Sequence, residues 1–349
     1  MRILLATSEV PPAPNGMARV CEKLTAGFRA HGHRVDIVAG ALLPRLLLAD
    51  VRLSPLLPHW GWVHDLAARS DVISLHGPIP AFSDFFLMMD AVQHDLPPIG
   101  YTHHMDIKFR RLTPLTGLYG RLYGRLAQRA DVTIVSTRAT ARTLPPPWRR
   151  KAHVVPFGVD LHRVRHDVPK ANEFTALFVG QLRPYKGVDV LLKAMRRLPG
   201  VKLNIVGKGY ADAEYRAMAE RFGLRNVHFL GAVSDDELWR LYAESQVFVL
   251  PSTEMEYFGL VILEAMASGC APVISDLPGP AEVVGDVGHV VPRLDVDALV
   301  AAIADLRDSP AKLAAHSERA RQRASAYTWE RCVDQYLELY CGIRSAASA

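Results

Sequence analysis

The regular alternation of short apolar runs with longer amphipathic stretches is the feature that most constrains the fold. The apolar runs, which we interpret as strands, are residues 1–7, 35–39, 71–75, 98–102, 131–135, 176–179, 201–206, 227–230, 247–250 and 272–274. The amphipathic stretches, which we interpret as helices, are residues 17–30, 82–92, 112–130, 188–197, 212–222, 235–243 and 260–267. This alternation predicts parallel β-sheets covered by helices on both faces.

A polar pause in the alternation, at residues 159–172, divides the chain into two halves. The chain has 349 residues, which is enough for two hydrophobic cores. We therefore predict two doubly wound α/β domains, an N-terminal one over residues 1–164 and a C-terminal one over residues 165–327. Because ligands of such sheets bind beyond the carboxyl ends of the strands, this organisation predicts a ligand in a cleft between two facing domains.

The positive charge of the chain is concentrated in one region. The net charge is +5, but residues 101–151 carry eleven Lys or Arg and only two Asp, which gives this segment +9. Its predicted helix places an apolar stripe beside a row of arginines. The stripe comprises Leu115, Tyr119, Leu122 and Leu126, and the row comprises Arg121, Arg125 and Arg129.

Two interpretations of this helix remain open. Together with the apolar, proline-broken segments 42–48 and 53–62, it could dock the first domain on an anionic membrane, where lipid-linked acceptors reside. Alternatively, the leucines cover the sheet and the arginines are solvated. We do not expect nucleic acid as a partner, because no aromatic stacking platform accompanies the arginines.

The cysteines indicate a reducing compartment. Cys21, Cys270, Cys332 and Cys341 form no Cys-x-x-Cys pair and have no metal-ligand spacing. No apolar run reaches the ~20 residues that a membrane-spanning helix needs, and the first residues lack the features of a secretory signal. We therefore expect a cytoplasmic protein, either free or peripheral at the inner face of the membrane.

Two glutamates follow the predicted strand at 247–250. Glu256 lies in the loop after the strand, and Glu264 lies inside an apolar helix, with seven residues between them. Gly259 allows a backbone to approach a ligand closely, and the free N–H groups of the helix start favour an anion. Glu256 alone can also be a first-turn acid that complements the helix dipole. That alternative leaves the carboxylate of Glu264, embedded in an apolar helix, unexplained.

Two cations follow the predicted strand at 176–179. Arg183 and Lys186 lie in a loop at the carboxyl end of this strand. Such a pair suits a diphosphate, since Arg grips two oxygens and Lys acts as a point charge; the alternative is a solvated loop. A third segment, residues 205–209, resembles part of a dinucleotide fingerprint but lacks its third glycine.

Together these motifs resemble the large retaining glycosyltransferase family four (glycosyl transferases group 1), which has two Rossmann-like domains in the GT-B fold. The resemblance covers nearly the whole chain. Glu256 to Glu264 matches the family's Glu-x7-Glu signature. The other matching segments are residues 179–187, 155–160 and 327–330.

The resemblance implies a nucleotide-diphosphate sugar as donor and a role for each donor-side residue. The implied donor-binding residues are Gly16, Arg183, Lys186, Lys208, Val233, Glu256, Phe258, Gly259, Leu260 and Glu264. Glu264 would hydrogen-bond the ribose hydroxyls, and Glu256 would hold a hydroxyl of the donor sugar. Arg183 and Lys186 would neutralise the diphosphate as it leaves.

Two further groups complete the implied donor site. The N–H groups around Gly259 and Leu260, which follow Phe258, would touch the sugar or its phosphate. Lys208 and the loop at residues 231–233 would flank the base.

The first domain carries the acceptor side in this resemblance. The loop 9–17 matches the family's glycine-rich loop, with Asn15 in place of the first of two adjacent glycines before Gly16. Asn tolerates a left-handed backbone better than most residues. A histidine after the strand at 98–102 would face the donor sugar. The spacing to Asp106 favours His104, with His103 as the alternative.

The implied mechanism uses no metal ion or other cofactor. Metal-dependent transferases commonly hold the diphosphate through an Asp-x-Asp triplet. The only such triplet is Asp295-Val296-Asp297, and Asp295 is interpreted as a helix cap. The cations Arg183 and Lys186 and the helix start would instead stabilise the charge that develops as the glycosidic bond breaks. In the family the acceptor hydroxyl attacks from the face that the diphosphate leaves.

We therefore interpret the chain as a retaining glycosyltransferase that uses His104, Glu256, Arg183 and Lys186 in catalysis. It would move a hexose-type sugar to a hydroxyl of a glycan, lipid-linked or natural-product acceptor. Two alternatives share the fold. One is a nucleotide-sugar epimerase, which would not explain the Glu256/Glu264 pair. The other is a non-catalytic protein that binds a nucleotide sugar or a lipid, and the complete set of donor-binding residues argues against it.

Apolar residues recur at helical spacing from Trp329 to Tyr340 and predict a last helix with one face to bury. The resemblance implies that residues 328–349 cross back to the N-terminal domain. Such a helix would tether the two domains.

Overall fold

The predicted α/β organisation is confirmed by a computed structural model, which describes residues 1–11, 13, 15–43, 46–48, 51–107 and 113–347. The chain divides into two units, and each unit has its own six-stranded parallel sheet with flanking helices. Unit 1 comprises Met1–Phe157 and Trp329–Ala349, and unit 2 comprises Gly158–Thr328. Both units are Rossmann-like.

The elements follow one another along the chain as strand and helix in near-regular order. The strands are β1 (Arg2–Thr7), β2 (Arg34–Ala39), β3 (Leu46–Leu48), β4 (Val51–Leu53), β5 (Val72–Gly77), β6 (Ile99–His103), β7 (Val132–Val135), β8 (Ala152–Val154), β9 (Thr175–Val179), β10 (Lys202–Val206), β11 (Val227–Gly231), β12 (Val247–Leu250), β13 (Ala271–Ser275) and β14 (His289–Val291). The helices are α1 (Gly16–Ala30), α2 (Trp60–Ala68), α3 (Ser83–Gln93), α4 (Thr113–Ala127), α5 (Arg138–Thr143), α6 (Pro146–Arg149), α7 (Val188–Met195), α8 (Asp212–Arg221), α9 (Asp235–Glu244), α10 (Leu260–Ala267), α11 (Pro278–Val284), α12 (Val296–Asp308), α13 (Pro310–Ala324) and α14 (Trp329–Ala347).

The strand order of unit 2 creates a crevice at a defined place. Its sheet runs β11-β10-β9-β12-β13-β14, so the order reverses between β9 and β12, as in a Rossmann sheet. These two strands pair in parallel at Val247 with Ala176 and Phe248 with Leu177. The connections that leave their carboxyl ends therefore depart towards opposite sides and leave the switch point open to a ligand.

Unit 1 has the same kind of reversal. Its main sheet runs β2-β1-β5-β6-β7-β8, and the reversal lies between β1 and β5. The strands β3 and β4 form a separate antiparallel pair. Strand β4 ends at the first residue of the apolar segment 53–62, and β3 lies in the apolar segment 42–48. Pro44 and Arg45 of that segment lie outside the described residues.

Each six-stranded sheet ends, at one edge, in a strand that the sequence pattern does not predict. These strands are β8 and β14, each of three residues and each partly exposed. An edge strand that is exposed on one side needs no continuous apolar run, so the pattern of buried strands does not detect it. The helix predicted over 112–130 begins at Thr113 and ends at Ala127.

The last helix, α14, packs within unit 1. Its predicted apolar positions, from Trp329 to Tyr340, are all buried. The Tyr340 ring lies against Gly100 of β6, where an added Cβ would overlap the ring. The Tyr336 hydroxyl lies 3.1 Å from the hydroxyl of Thr102. Within the described ranges, no helix has the length and apolar character required to cross a bilayer.

Candidate functional site

The loops that follow β9 and β12 meet at the switch point of unit 2. The backbone N–H of Thr253 donates to the carbonyl of Tyr185 over 2.7 Å. Gly187 has a φ of 69°, and a Cβ there would overlap the carbonyl oxygen of Pro251. Only glycine permits this approach together with this backbone conformation. The two predicted donor loops are therefore one structural unit.

Lys186 and Glu256 form an ion pair across these two loops. Their side chains are 13% and 14% exposed, so the pair is nearly withdrawn from solvent. Burial opposes the charged form of Lys186, but the Glu256 carboxylate and the neighbouring Tyr185 outweigh it, and the pKa of Lys186 is raised. The side chain of Lys186 is thus charged at neutral pH. Glu256 is more than a first-turn acid, because its partner comes from a loop 70 positions away in the chain.

The two predicted cations differ in their surroundings. Lys186 forms an ion pair with Glu256, whereas the Arg183 side chain is exposed on the same loop. Arg183 lies close enough that its charge opposes that of Lys186. With Glu256 included, the three side chains leave one net positive charge at the switch point. An anionic ligand is therefore attracted there, but less strongly than two unpaired cations would attract it.

Gly259 turns the chain from the loop into α10. Its φ is 84°, in the left-handed region that favours glycine, and an added Cβ would lie 2.6 Å from Ile262 Cδ1. Leu260 begins the helix and is partly exposed. Phe258 is buried, with its ring 6.3 Å from that of Tyr327. Only the backbone of Phe258, not its ring, is in a position to serve a ligand at the helix start.

Glu264 lies inside α10 and is only 7% exposed. The Tyr242 hydroxyl of α9 donates to Glu264 Oε2 over 2.9 Å. This bond orients the carboxylate and offsets part of the cost of burying its charge. Tyr242 was not predicted as a site residue, because a buried tyrosine on an amphipathic helix resembles any core residue in the sequence.

Lys208 and the loop after β11 are neighbours, as the resemblance implies. The Gly207 N–H donates to the Gly231 carbonyl over 2.7 Å. The Lys208 side chain is exposed, and its Cε is 3.7 Å from the position of a Cβ at Gly231. Val233 follows two residues later and is partly exposed. These groups lie after β10 and β11, on the far side of β9 from β12.

In unit 1, Asn15 and Gly16 start α1. Asn15 has an extended backbone, with φ −143° and ψ 160°, and its side chain accepts from the N–H of Ala18 over 3.0 Å. The position therefore does not require the left-handed conformation that we expected, and Asn15 is an ordinary helix cap. Gly16 is the first residue of the helix. Pro12 and Pro14 of this loop lie outside the described residues.

The two predicted histidines have different environments at the end of β6. His103 is buried against Trp148, and its Nε2 lies 3.3 Å from Asp106 Oδ1. His104 is partly exposed, and its Nε2 lies 2.9 Å from Nδ1 of the fully buried His76. Of the two, His104 can reach a ligand. His76 was missed because it stands inside the apolar run of β5.

Both rings of the His76–His104 pair are neutral at physiological pH. Burial lowers the pKa of His76 to about 3. Burial also lowers the pKa of His104 well below its usual value, and the rings of His76 and His103 lower it further. His104 therefore acts as a hydrogen-bonding group rather than as a cation.

The Asp-x-Asp triplet has a structural role. Asp295 caps α12 by accepting from the N–H of Ala298 over 2.9 Å, which confirms the interpretation as a cap. Asp297 pairs with Arg197. In the part of the chain that the structure describes, no group of three or more His, Cys, Asp or Glu side chains is arranged to hold a metal ion.

The basic helix α4 has a mixed outer face. Tyr123 is buried, and its hydroxyl lies 3.0 Å from that of Ser83 in α3. The predicted apolar stripe is wrong at Leu122, whose side chain is 52% exposed. The helix instead directs Tyr119 and Tyr123 towards α3. Leu118 is 54% exposed beside Leu122. The exposed Arg121 and Arg125 share this face. The Leu115 side chain lies outside the described residues, as do residues 108–112.

Known families match both halves of the chain. Residues 163–323 match the family described as glycosyl transferases group 1, and residues 14–163 match glycosyltransferase family 4. Among relatives, the O-antigen chain mannosyltransferase C of Escherichia coli is 32% identical over 80% of this chain and 77% of its own. The phosphatidyl-myo-inositol mannosyltransferase of Mycobacterium tuberculosis is 31% identical over 84% and 82%.

Solved structures share the fold over nearly the full length. Sucrose-phosphate synthase from Thermosynechococcus elongatus superimposes with a TM-score of 0.82 at 22% identity, and the match covers 99% of both chains. Anabaena HepE in complex with UDP gives a TM-score of 0.77 at 20% identity, covering 98% of this chain and 100% of that one.

Proposed function

The chain belongs to the group 1 glycosyltransferases, and on this premise we propose that it moves a hexose-type sugar from a nucleotide-diphosphate sugar to an acceptor hydroxyl. Glycosyl transfer itself follows from the family. The acceptor that we propose is a glycan or lipid-linked molecule, since relatives are named for O-antigen chains and phosphatidyl-myo-inositol. A natural-product acceptor is compatible with the same chemistry.

The observation that carries the donor proposal is the pairing of Lys186 with Glu256 at the switch point of unit 2. One loop supplies cations for a diphosphate, and the other supplies a carboxylate for a sugar hydroxyl. The ion pair holds both in one place before any ligand arrives. A structural neighbour has UDP bound, which supports the same class of donor.

Each donor-site residue then has a distinct role. Arg183 and Lys186 stabilise the leaving diphosphate, assisted by the N–H groups at Gly259 and Leu260. Glu264, oriented by Tyr242, accepts hydrogen bonds from the ribose. Lys208, beside the loop that leads to Val233, flanks the base. In unit 1, His104 offers a hydrogen bond to a substrate oxygen.

We propose retention of the anomeric configuration by front-face substitution. A covalent route needs a carboxylate that is free to attack the anomeric carbon. The Glu256 carboxylate is held by Lys186 instead, and Glu264 is bound by Tyr242 inside α10. Because both carboxylates already have these partners, we favour direct attack by the acceptor, with the diphosphate leaving from the same face.

The experiment is a transfer assay with a panel of nucleotide-diphosphate sugars and lipid-linked or oligosaccharide acceptors. We expect product to form in the presence of a chelator, because Arg183, Lys186 and the helix start supply the positive charge that a metal would otherwise supply. The proton NMR spectrum of the product should show the anomeric configuration of the donor. Inversion would contradict the mechanism, and activity lost to the chelator and restored by magnesium or manganese would contradict metal independence.

We further propose that the outer face of α4 lies on an anionic bilayer. The exposed Leu118 and Leu122 supply apolar contact, while Arg121 and Arg125 match the charge of anionic headgroups. The helix contains no acidic residue. Binding would bring the enzyme to a lipid-linked acceptor.

This membrane proposal predicts a charge-dependent interaction with vesicles. The protein should sediment with phosphatidylglycerol vesicles and not with phosphatidylcholine vesicles. An Arg121→Glu/Arg125→Glu variant should lose most of this binding at low salt. Arg216→Glu/Arg221→Glu is the matched control with the same change in charge, because both are exposed helix arginines of unit 2. Equal binding by the parent and the α4 variant would reject the assignment.

A further inference from the structure

Four polar side chains form one hydrogen-bonded chain in unit 1, from α14 to the end of β6. The Tyr340 hydroxyl donates to Ser74 Oγ over 2.6 Å. Ser74 Oγ lies 3.1 Å from His76 Nε2, and His76 Nδ1 lies 2.9 Å from His104 Nε2. Tyr340, Ser74 and His76 are fully buried, and only His104 reaches the surface.

The direction of this chain follows from counting protons. A serine hydroxyl has one proton. Ser74 accepts from Tyr340, and among the described residues His76 Nε2 is the one acceptor within hydrogen-bond distance of its own proton. His76 Nε2 is therefore unprotonated. Since neutral imidazole has a single N–H, that proton is on Nδ1 and is donated to His104 Nε2.

The last member of the chain is fixed by the same rule. His104 Nε2 accepts from His76, so the single proton of neutral His104 is on Nδ1. Both rings are neutral at physiological pH, because burial lowers the pKa of each. The His104 ring also stacks on Phe157, with the two ring centroids 5.7 Å apart. Stacking holds the plane of the ring, and the hydrogen bonds hold its tautomer.

We infer that Ser74 and Tyr340 are positioning residues: Ser74 sets the tautomer of His104, and Tyr340 holds the Ser74 hydroxyl against His76, so that His104 presents an N–H donor at Nδ1 to the substrate. This inference rests on the proposed role of His104 in glycosyl transfer. Its chemical content is that His104 binds an oxygen lone pair, of a hydroxyl or a phosphate, and does not take up a proton during the reaction. Helix α14, remote in sequence, thereby controls a group at the carboxyl end of the sheet.

The direct test is the tautomer of His104 in the full-length protein without ligand. Two-bond ¹H–¹⁵N correlation spectra of ¹⁵N-histidine-labelled protein distinguish the Nδ1–H from the Nε2–H form. We expect Nδ1–H in the parent. In Ser74→Ala the proton donor to His76 is gone, so we expect the Nε2–H form of His104 to appear. An Nε2–H form in the parent, or an unchanged spectrum in Ser74→Ala, would overturn the inference.

Two tyrosines on α14 provide a control that separates a change of tautomer from a general loosening of the core. Tyr340 and Tyr336 are both fully buried, and each hydroxyl bonds a hydroxyl on a strand, on Ser74 of β5 and Thr102 of β6 respectively. Only the Tyr340 bond leads to His104. Tyr340→Phe removes the bond that holds the Ser74 hydroxyl against His76, so part of the Nδ1–H form of His104 should be lost, whereas Tyr336→Phe should leave the tautomer as in the parent. Equal effects of the two variants would mean that the chain acts only through packing.

The transfer assay adds a second readout. A lost neutral hydrogen bond to the substrate should lower kcat about tenfold in Ser74→Ala, and by a smaller factor in Tyr340→Phe, which keeps the serine hydroxyl. In a His104→Ala background, Ser74→Ala should lower kcat no further, because its effect passes through His104. A full additional loss in that background would reject the positioning role. The NMR measurement does not require activity. It therefore tests the tautomer of His104 even if the proposed function is wrong.

Discussion

Lys186→Met should lower kcat by about 10²–10³-fold, the effect of removing one group that stabilises charge in a transition state. The ammonium of Lys186 lies at the switch point of unit 2, where we propose that the leaving diphosphate gains negative charge as the glycosidic bond breaks. Its raised pKa keeps it charged throughout the neutral range. Steady-state kinetics of transfer with the preferred donor measure the effect.

The same substitution also has a cost in stability that must be separated from the loss of activity. It leaves Glu256 as an unpaired, nearly buried carboxylate, and breaking such a pair costs about 3–5 kcal/mol. The double variant Lys186→Met/Glu256→Gln removes both charges, so it should recover most of the stability and none of the activity.

Lys193→Met is the matched control for Lys186→Met. Lys193 lies on α7, where it pairs with Asp189 in solvent, and its loss should leave kcat within a factor of about two. A kcat for Lys186→Met that is close to the parent value would remove Lys186 from the mechanism.

Substitutions of Glu264 and Glu256 should affect different steps, nucleotide binding and turnover respectively. Glu264→Ala removes the carboxylate that we assign to the ribose, so the affinity for free nucleotide diphosphate should fall by about 10–100-fold, the value of a charge-assisted hydrogen bond. Glu256→Gln should not weaken this affinity, because it frees the charge of Lys186 for the diphosphate. Its defect should instead appear in kcat with the intact donor sugar.

Calorimetric titration with the free nucleotide diphosphate separates the two variants. Tyr242→Phe should resemble a mild form of Glu264→Ala, since it removes the hydroxyl that orients the carboxylate. If Glu256→Gln and Glu264→Ala lose nucleotide affinity equally, the division between sugar and ribose is wrong.

The sequence was informative wherever function or burial leaves a local pattern. The strands with apolar runs on both faces were found with small shifts at their ends, because a doubly covered sheet demands continuous apolar residues. The loops after β9 and β12 were found because charges and glycines follow those strands directly. The family resemblance and the fold class were confirmed.

The partners of the site residues could not be read from the sequence. Glu256 and Lys186 come from separate loops, and their pairing depends on the adjacency of β9 and β12 in the sheet. His76 and Tyr340 look like core residues in their own segments, since each sits in an apolar pattern. Hydrogen bonds between residues far apart in sequence arise from tertiary packing, which local periodicity does not encode.

We propose that the switch point between β9 and β12 is the nucleotide-diphosphate site. Hydrogen exchange of the intact protein, with and without saturating nucleotide diphosphate, tests it most directly. We expect new protection of backbone amides in residues 180–187 and 256–264, and no change in the edge strand β14. Protection confined to other parts of unit 2, at a concentration where calorimetry shows saturation, would contradict it.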